Sequence, residues 1–166
     1  MIRMVNTALD QKSRQSAEDP SAAEIVLADA VLAGAASLVV WEACARLAAP
    51  QFVGTTLEPA IYLARTLGID PLAGEALHIL AGLIAIPLAH ILLMRPALPS
   101  RTPWWVVGLL TGLAVWIIAI WGLGNLGAGA VFPFSGPVAR MVLAGHVLMG
   151  LAVAGVVEWR GRQPEP

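Results

Sequence analysis

From Leu72 to Val157 the chain is built of long apolar runs parted by short polar breaks, and the breaks show where helices start and stop. Ala76 to Met94, Trp104 to Ala130 and Met141 to Val157 contain no Asp, Glu, Lys or Arg. An α-helix needs about 20 apolar residues to cross roughly 30 Å of hydrocarbon. The pattern therefore predicts an all-α, polytopic membrane protein with four transmembrane helices in one bundle.

The first predicted span, Ile25 to Ala49, carries Asp29, Glu42 and Arg46 around an uncharged centre from Ala30 to Trp41. Those charges raise its insertion cost, so an amphipathic surface helix is the competing reading. The run of small residues from Ala33 to Ser37 favours close packing in lipid. Pro50 is expected to end the helix. Glu58-Pro59 then opens a short interfacial helix through Arg65, closed by Gly68.

The second span runs from Pro71 to Met94, where Pro87 should kink it and free the carbonyl of Leu83. The third opens at Trp104-Trp105, ends near Trp121 and carries Gly108 and Gly112 on one small-residue face. A glycine-rich stretch from Gly122 to Gly129 and then Phe132 to Pro137 lead to the fourth span, Val138 to Trp159. Residues 1–21 and 161–166 read as short polar tails, leaving residues 22–160 as one membrane domain.

An even number of spans puts both tails on one side. That side would hold seven of the ten Lys and Arg residues, with Arg46, Arg65 and Arg140 on the other. The asymmetry predicts cytoplasmic termini in a bacterial inner membrane.

Composition agrees, with 58% hydrophobic and 13% charged residues. A net charge of −1 and the lack of any basic stripe exclude nucleic acid as a partner. Cys44, the single cysteine, has no partner for an internal disulfide and reads as a small apolar residue. The spacing Gly122-x-Gly124-x-x-Gly127 copies a dinucleotide-binding fingerprint without the strand–turn–helix context that gives it meaning. The six Trp read as interface anchors.

Ionisable residues inside apolar spans are costly and so are candidates for function. Depth counting places Glu42, Glu75, His78 and His146 within about two helical turns of one level near the outer face. Asp29 and His90 form a second polar layer near the cytoplasmic end and are expected to pair. Twelve residues separate His78 from His90, about 18 Å along a helix, which argues against one shared site.

Four chemistries suit the outer cluster. Carboxylate–imidazole hydrogen bonds can lock helices in register. Glu42, Glu75, His78 and His146 offer the ligand types of a carboxylate–histidine metal site, although only one Glu-x-x-His motif is present. His78 and His146 are candidate axial ligands of a haem b, with Gly74, Gly82, Gly145 and Gly150 leaving room for the porphyrin. The same Glu/His set also suits proton handling or a quinone headgroup.

Trp41-Glu42, His78, the Trp105-x-x-Gly108-x-x-x-Gly112 opening, Gly145-His146 and Glu158 followed by Arg160 together resemble the YagU-like family of small bacterial inner-membrane proteins and related four-span proteins. The likeness covers roughly residues 35–162 and implies a four-helix inner-membrane protein with no established catalytic activity. The expected role is accordingly non-enzymatic. The leading reading is an accessory subunit of a larger membrane assembly, with a respiratory one as an example, packing on partners through faces such as Gly108/Gly112. The alternatives are a haem- or metal-binding electron-transfer protein and a proton- or quinone-handling protein.

Overall fold

The computed structural model describes residues 21–119 and 136–162, and every described element is helical. We number them α1 (Ala22–Val53), α2 (Pro59–Leu67), α3 (Pro71–Ala97), α4 (Trp104–Ile117) and α5 (Pro137–Gly161). By length and composition α1, α3 and α5 suit a membrane crossing; α4 is shorter over its described part. Its predicted end near Trp121 lies outside the described residues. So do the glycine-rich connection and most of both tails. Outward-facing apolar side chains such as Phe52 (74% exposed) and Leu72 (80%) cover much of the surface, as lipid-facing helices require and water-facing ones avoid.

The helix starts follow local chemistry. Ser21 and Glu24 form a reciprocal capping box: the Glu24 amide donates to Ser21 Oγ (3.3 Å), and the Ser21 amide donates to Glu24 Oε2 (2.6 Å). Asp70 caps α3 by accepting from the amides of Leu72 and Ala73, with Pro71 at the first helical position. Gly68 ends α2 in a left-handed conformation, φ +66°.

Pro50 behaves differently from the sequence expectation. Helix α1 does not stop at Pro50 but continues to Val53, ending at Gly54. A π turn at Cys44–Ala48, in which the Ala49 amide reaches back to Cys44 O, precedes the ring and re-spaces the carbonyls it would strike. In α3, π turns at Ala81–Ala85 and His90–Met94 flank the fully buried Pro87, and the helix runs on. The Leu83 carbonyl lies so close over Gly34 of α1 that a Cβ there would overlap its oxygen. Ser37 Oγ donates to Gly34 O (2.9 Å) and approaches Gly82 O (3.4 Å). The small residues of α1 therefore receive the backbone that Pro87 disturbs.

Packing proceeds in a row. α3 lies on α1, α1 on α5, and α5 on α4, while α2 folds back on α3 with Ala60 and Ala64 over Gly74. Between α5 and α4 the contact is backbone to backbone: a Cβ on Gly108 would lie 2.9 Å from Gly150 O, and one on Gly150 would lie 2.5 Å from Gly112 N. The Gly108/Gly112 face expected to meet another subunit is thus covered by this chain's own last helix. α3 and α4 meet chiefly at the His90–Met94 turn.

Candidate functional site

A cavity of about 550 Å³ lies where α3 and α4 stand apart. Its back is Leu38 and Trp41 of α1 with Val142, His146 and Met149 of α5, and Leu57–Leu63 contributes one end. The walls are almost wholly aliphatic. The polar exceptions include His78, His90, His146, Thr111 and the indole of Trp41.

Each histidine has a distinct setting. His146 Nδ1 donates to Val142 O, one turn back on its own helix, at 2.8 Å. Its ring meets Trp41 edge-on, centroids 4.6 Å apart. Gly145 makes this possible, since a Cβ there would lie 2.7 Å from Trp41 Cζ3. His90, from α3, is bonded across to α4 through Nδ1 and Thr111 Oγ1 at 2.8 Å. The single hydroxyl proton of Thr111 goes to Val107 O (2.9 Å), so His90 Nδ1 is the donor. In the neutral rings of His90 and His146 the proton therefore sits on Nδ1, leaving Nε2 as a lone-pair acceptor.

His78 faces the other way chemically. Its buried Nε2 has no hydrogen-bond partner among the described residues, with Glu42 Oε1 standing 3.8 Å away. The other carboxylate oxygen of Glu42 is paired with Arg46 one turn on. Arg46 also reaches Glu58 (3.7 Å), which Thr56 Oγ1 holds at 3.2 Å. A charged chain from Glu42 to Glu58 thus borders the end of the cavity.

The structure brings Glu42 beside His78, and Trp41 against both His78 (ring centroids 6.5 Å) and His146. Glu75 is exposed and lies off the cavity. The four expected metal ligands Glu42, Glu75, His78 and His146 are not gathered: among the described residues no group of three or more His, Cys, Asp or Glu is placed to hold a metal ion. The expected porphyrin space is filled by protein as well. Gly74 is occupied by α2, Gly82 by the Leu38 side chain, Gly145 by Trp41 and Gly150 by the α4 backbone.

The pairing of Asp29 with His90 is also overturned. Asp29 Oδ1 accepts from Arg160 Nε at 2.7 Å, tying α1 to α5, while His90 turns to Thr111. A guanidinium gives a carboxylate a full opposite charge, which a neutral imidazole does not. His78 and His90, twelve residues apart on α3, both line this cavity. Sequence reasoning also passed over Trp41 as a site residue, the Thr111 acceptor and the Arg46 partner. The Glu42–Arg46 spacing of four was a readable signal, because such residues are neighbours on a helix.

No family model, curated protein or solved structure matches the chain.

Proposed function

We propose that this chain is a four-span integral protein of a bacterial inner membrane that binds a lipid-soluble molecule between α3 and α4. The observation that carries this reading is the 550 Å³ cavity, apolar in its walls and supplied with a few placed imidazoles. That combination of bulk apolar lining with sparse, oriented polar groups is how small-molecule sites are built. In this reading the protein is a binding protein and not an enzyme. The surrounding bilayer is the phase from which the ligand arrives.

Purification in mild detergent followed by solvent extraction and mass spectrometry should recover a lipid-soluble molecule in near-stoichiometric amount. Ala114→Phe, which fills the cavity from α4, should reduce that amount at least tenfold while leaving a monodisperse protein. An unchanged yield from Ala114→Phe would reject the cavity as the binding place. An absorption scan of the same sample before and after dithionite tests haem directly: a Soret band would replace the proposed ligand by a porphyrin.

The proposed topology follows the Lys/Arg asymmetry, with the 95–103 loop cytoplasmic and the 54–58 loop external. Alkaline phosphatase, which is active only outside the cytoplasm, should be inactive when fused after Pro99 and active when fused after Gly54. The reverse pattern would invert the orientation.

A further inference from the structure

Resting on that reading, we propose that the ligand is a lipid-soluble hydrogen-bond donor, an O–H or N–H compound, because the side chains of the cavity offer it acceptors alone.

The donors that line the cavity are spent or sealed. The Trp41 indole nitrogen and the Tyr62 hydroxyl are buried beyond the reach of a ligand. The Thr111 hydroxyl proton goes to Val107 O, while the Nδ1 protons of His90 and His146 go to Thr111 Oγ1 and Val142 O. His78 Nε2 is sealed as well, 3.8 Å from Glu42 Oε1. A lone pair on that nitrogen would face the carboxylate's negative charge, so the His78 proton sits there. Among the described residues no Lys or Arg lines the cavity.

The acceptors remain open. Each neutral imidazole keeps one lone pair: Nδ1 of His78 and Nε2 of His90 and of His146. Among the described residues none of these nitrogens is hydrogen-bonded, and none is among the sealed atoms. All three rings line the cavity. Glu58, at the end of the cavity, is a carboxylate and can only accept. Carbonyl, ether and ester oxygens are acceptors too, and would give up their water for no partner. An anion would also lack a counter-charge. An O–H or N–H group meets a lone pair on any of the three rings, and a protonated amine meets Glu58 besides.

Native mass spectrometry of the intact detergent-solubilised protein tests this with four probes on one hydrocarbon body: farnesol, farnesylamine, farnesal and farnesyl methyl ether. The alcohol, the amine or both should bind about tenfold more tightly than the aldehyde and the ether, the loss expected for one unmade hydrogen bond. A tighter amine assigns the donor to a cationic head, a tighter alcohol to a hydroxyl. Thr111→Val removes the acceptor that holds the His90 proton on Nδ1. That proton is then free to move to Nε2, so farnesal should gain severalfold in affinity. A packing role for Thr111 would instead weaken all four probes alike, and that result would overturn the fixed tautomer.

Farnesal or the ether binding as tightly as both donors would overturn the donor assignment. That comparison alters the ligand and not the protein, so it does not depend on any variant folding. If Ala114→Phe still blocks those probes, the cavity reading stands without its hydrogen-bond rule. Binding that Ala114→Phe leaves unchanged, or no binding by any probe, would remove both.

Discussion

Gly34→Ala is expected to be among the most damaging single-methyl additions in this protein. The added Cβ would overlap the Leu83 carbonyl oxygen and press on Leu83 Cα, all backbone atoms that no rotamer change can move aside. Overpacking of this kind costs ~1–3 kcal/mol or more, and a fixed backbone obstacle places Gly34 at the upper end. The gain from alanine's better helix propensity, about 1 kcal/mol, does not offset it. Gly82→Ala is the matched control one helix away. Its Cβ meets the terminal carbons of Leu38, a side chain free to turn, so its melting temperature should stay close to that of the parent. Thermal unfolding of both variants in detergent, followed by loss of monodispersity, decides the matter. If the two melt together, α1 and α3 are not in the close contact described.

Breaking the Asp29–Arg160 pair should produce the second large loss. This bond joins the first turns of α1 to the last turns of α5 at 2.7 Å, with Asp29 only 21% and Arg160 38% exposed. Exposed pairs contribute about 0–1 kcal/mol, whereas stranding one member of a buried pair costs about 3–5. For a half-buried pair we expect about 2 kcal/mol from either Asp29→Asn or Arg160→Gln. The double substitution should cost little more than one alone, and the exchange Asp29→Arg with Arg160→Asp should regain part of the stability. Strictly additive single losses in that cycle would show that the two charges do not depend on each other.

Helix positions were legible because their causes are local. Pro59 with Gly68 brackets α2, and Asp70-Pro71 opens α3, each through chemistry confined to one turn. The small residues from Ala33 to Ser37 announced a close contact, and the structure supplies it. Partners were less legible, since a choice such as Asp29 for Arg160 over His90 spans the length of the chain. Rotational phase was the least legible of all. Twelve residues of regular α-helix would turn His90 about 120° away from His78. The π turn at Ala81–Ala85 takes up one extra residue, so the pair behaves as if eleven apart, about 20° from alignment. Hydropathy does not register that slip, so the pattern does not show that two levels of one helix open on the same cavity.

The glycine contacts have a mechanical consequence. At Gly112 and Gly150 between α4 and α5, and at Gly34 between α1 and α3, main chain rests on main chain. Those seams are stiff. The opposite seam, between α3 and α4, is bridged near its end by the imidazole–hydroxyl link of His90 and Thr111, both side chains with torsional freedom. Strain from a molecule wedging in sideways from the bilayer would collect at this compliant edge and leave the rest of the framework undistorted.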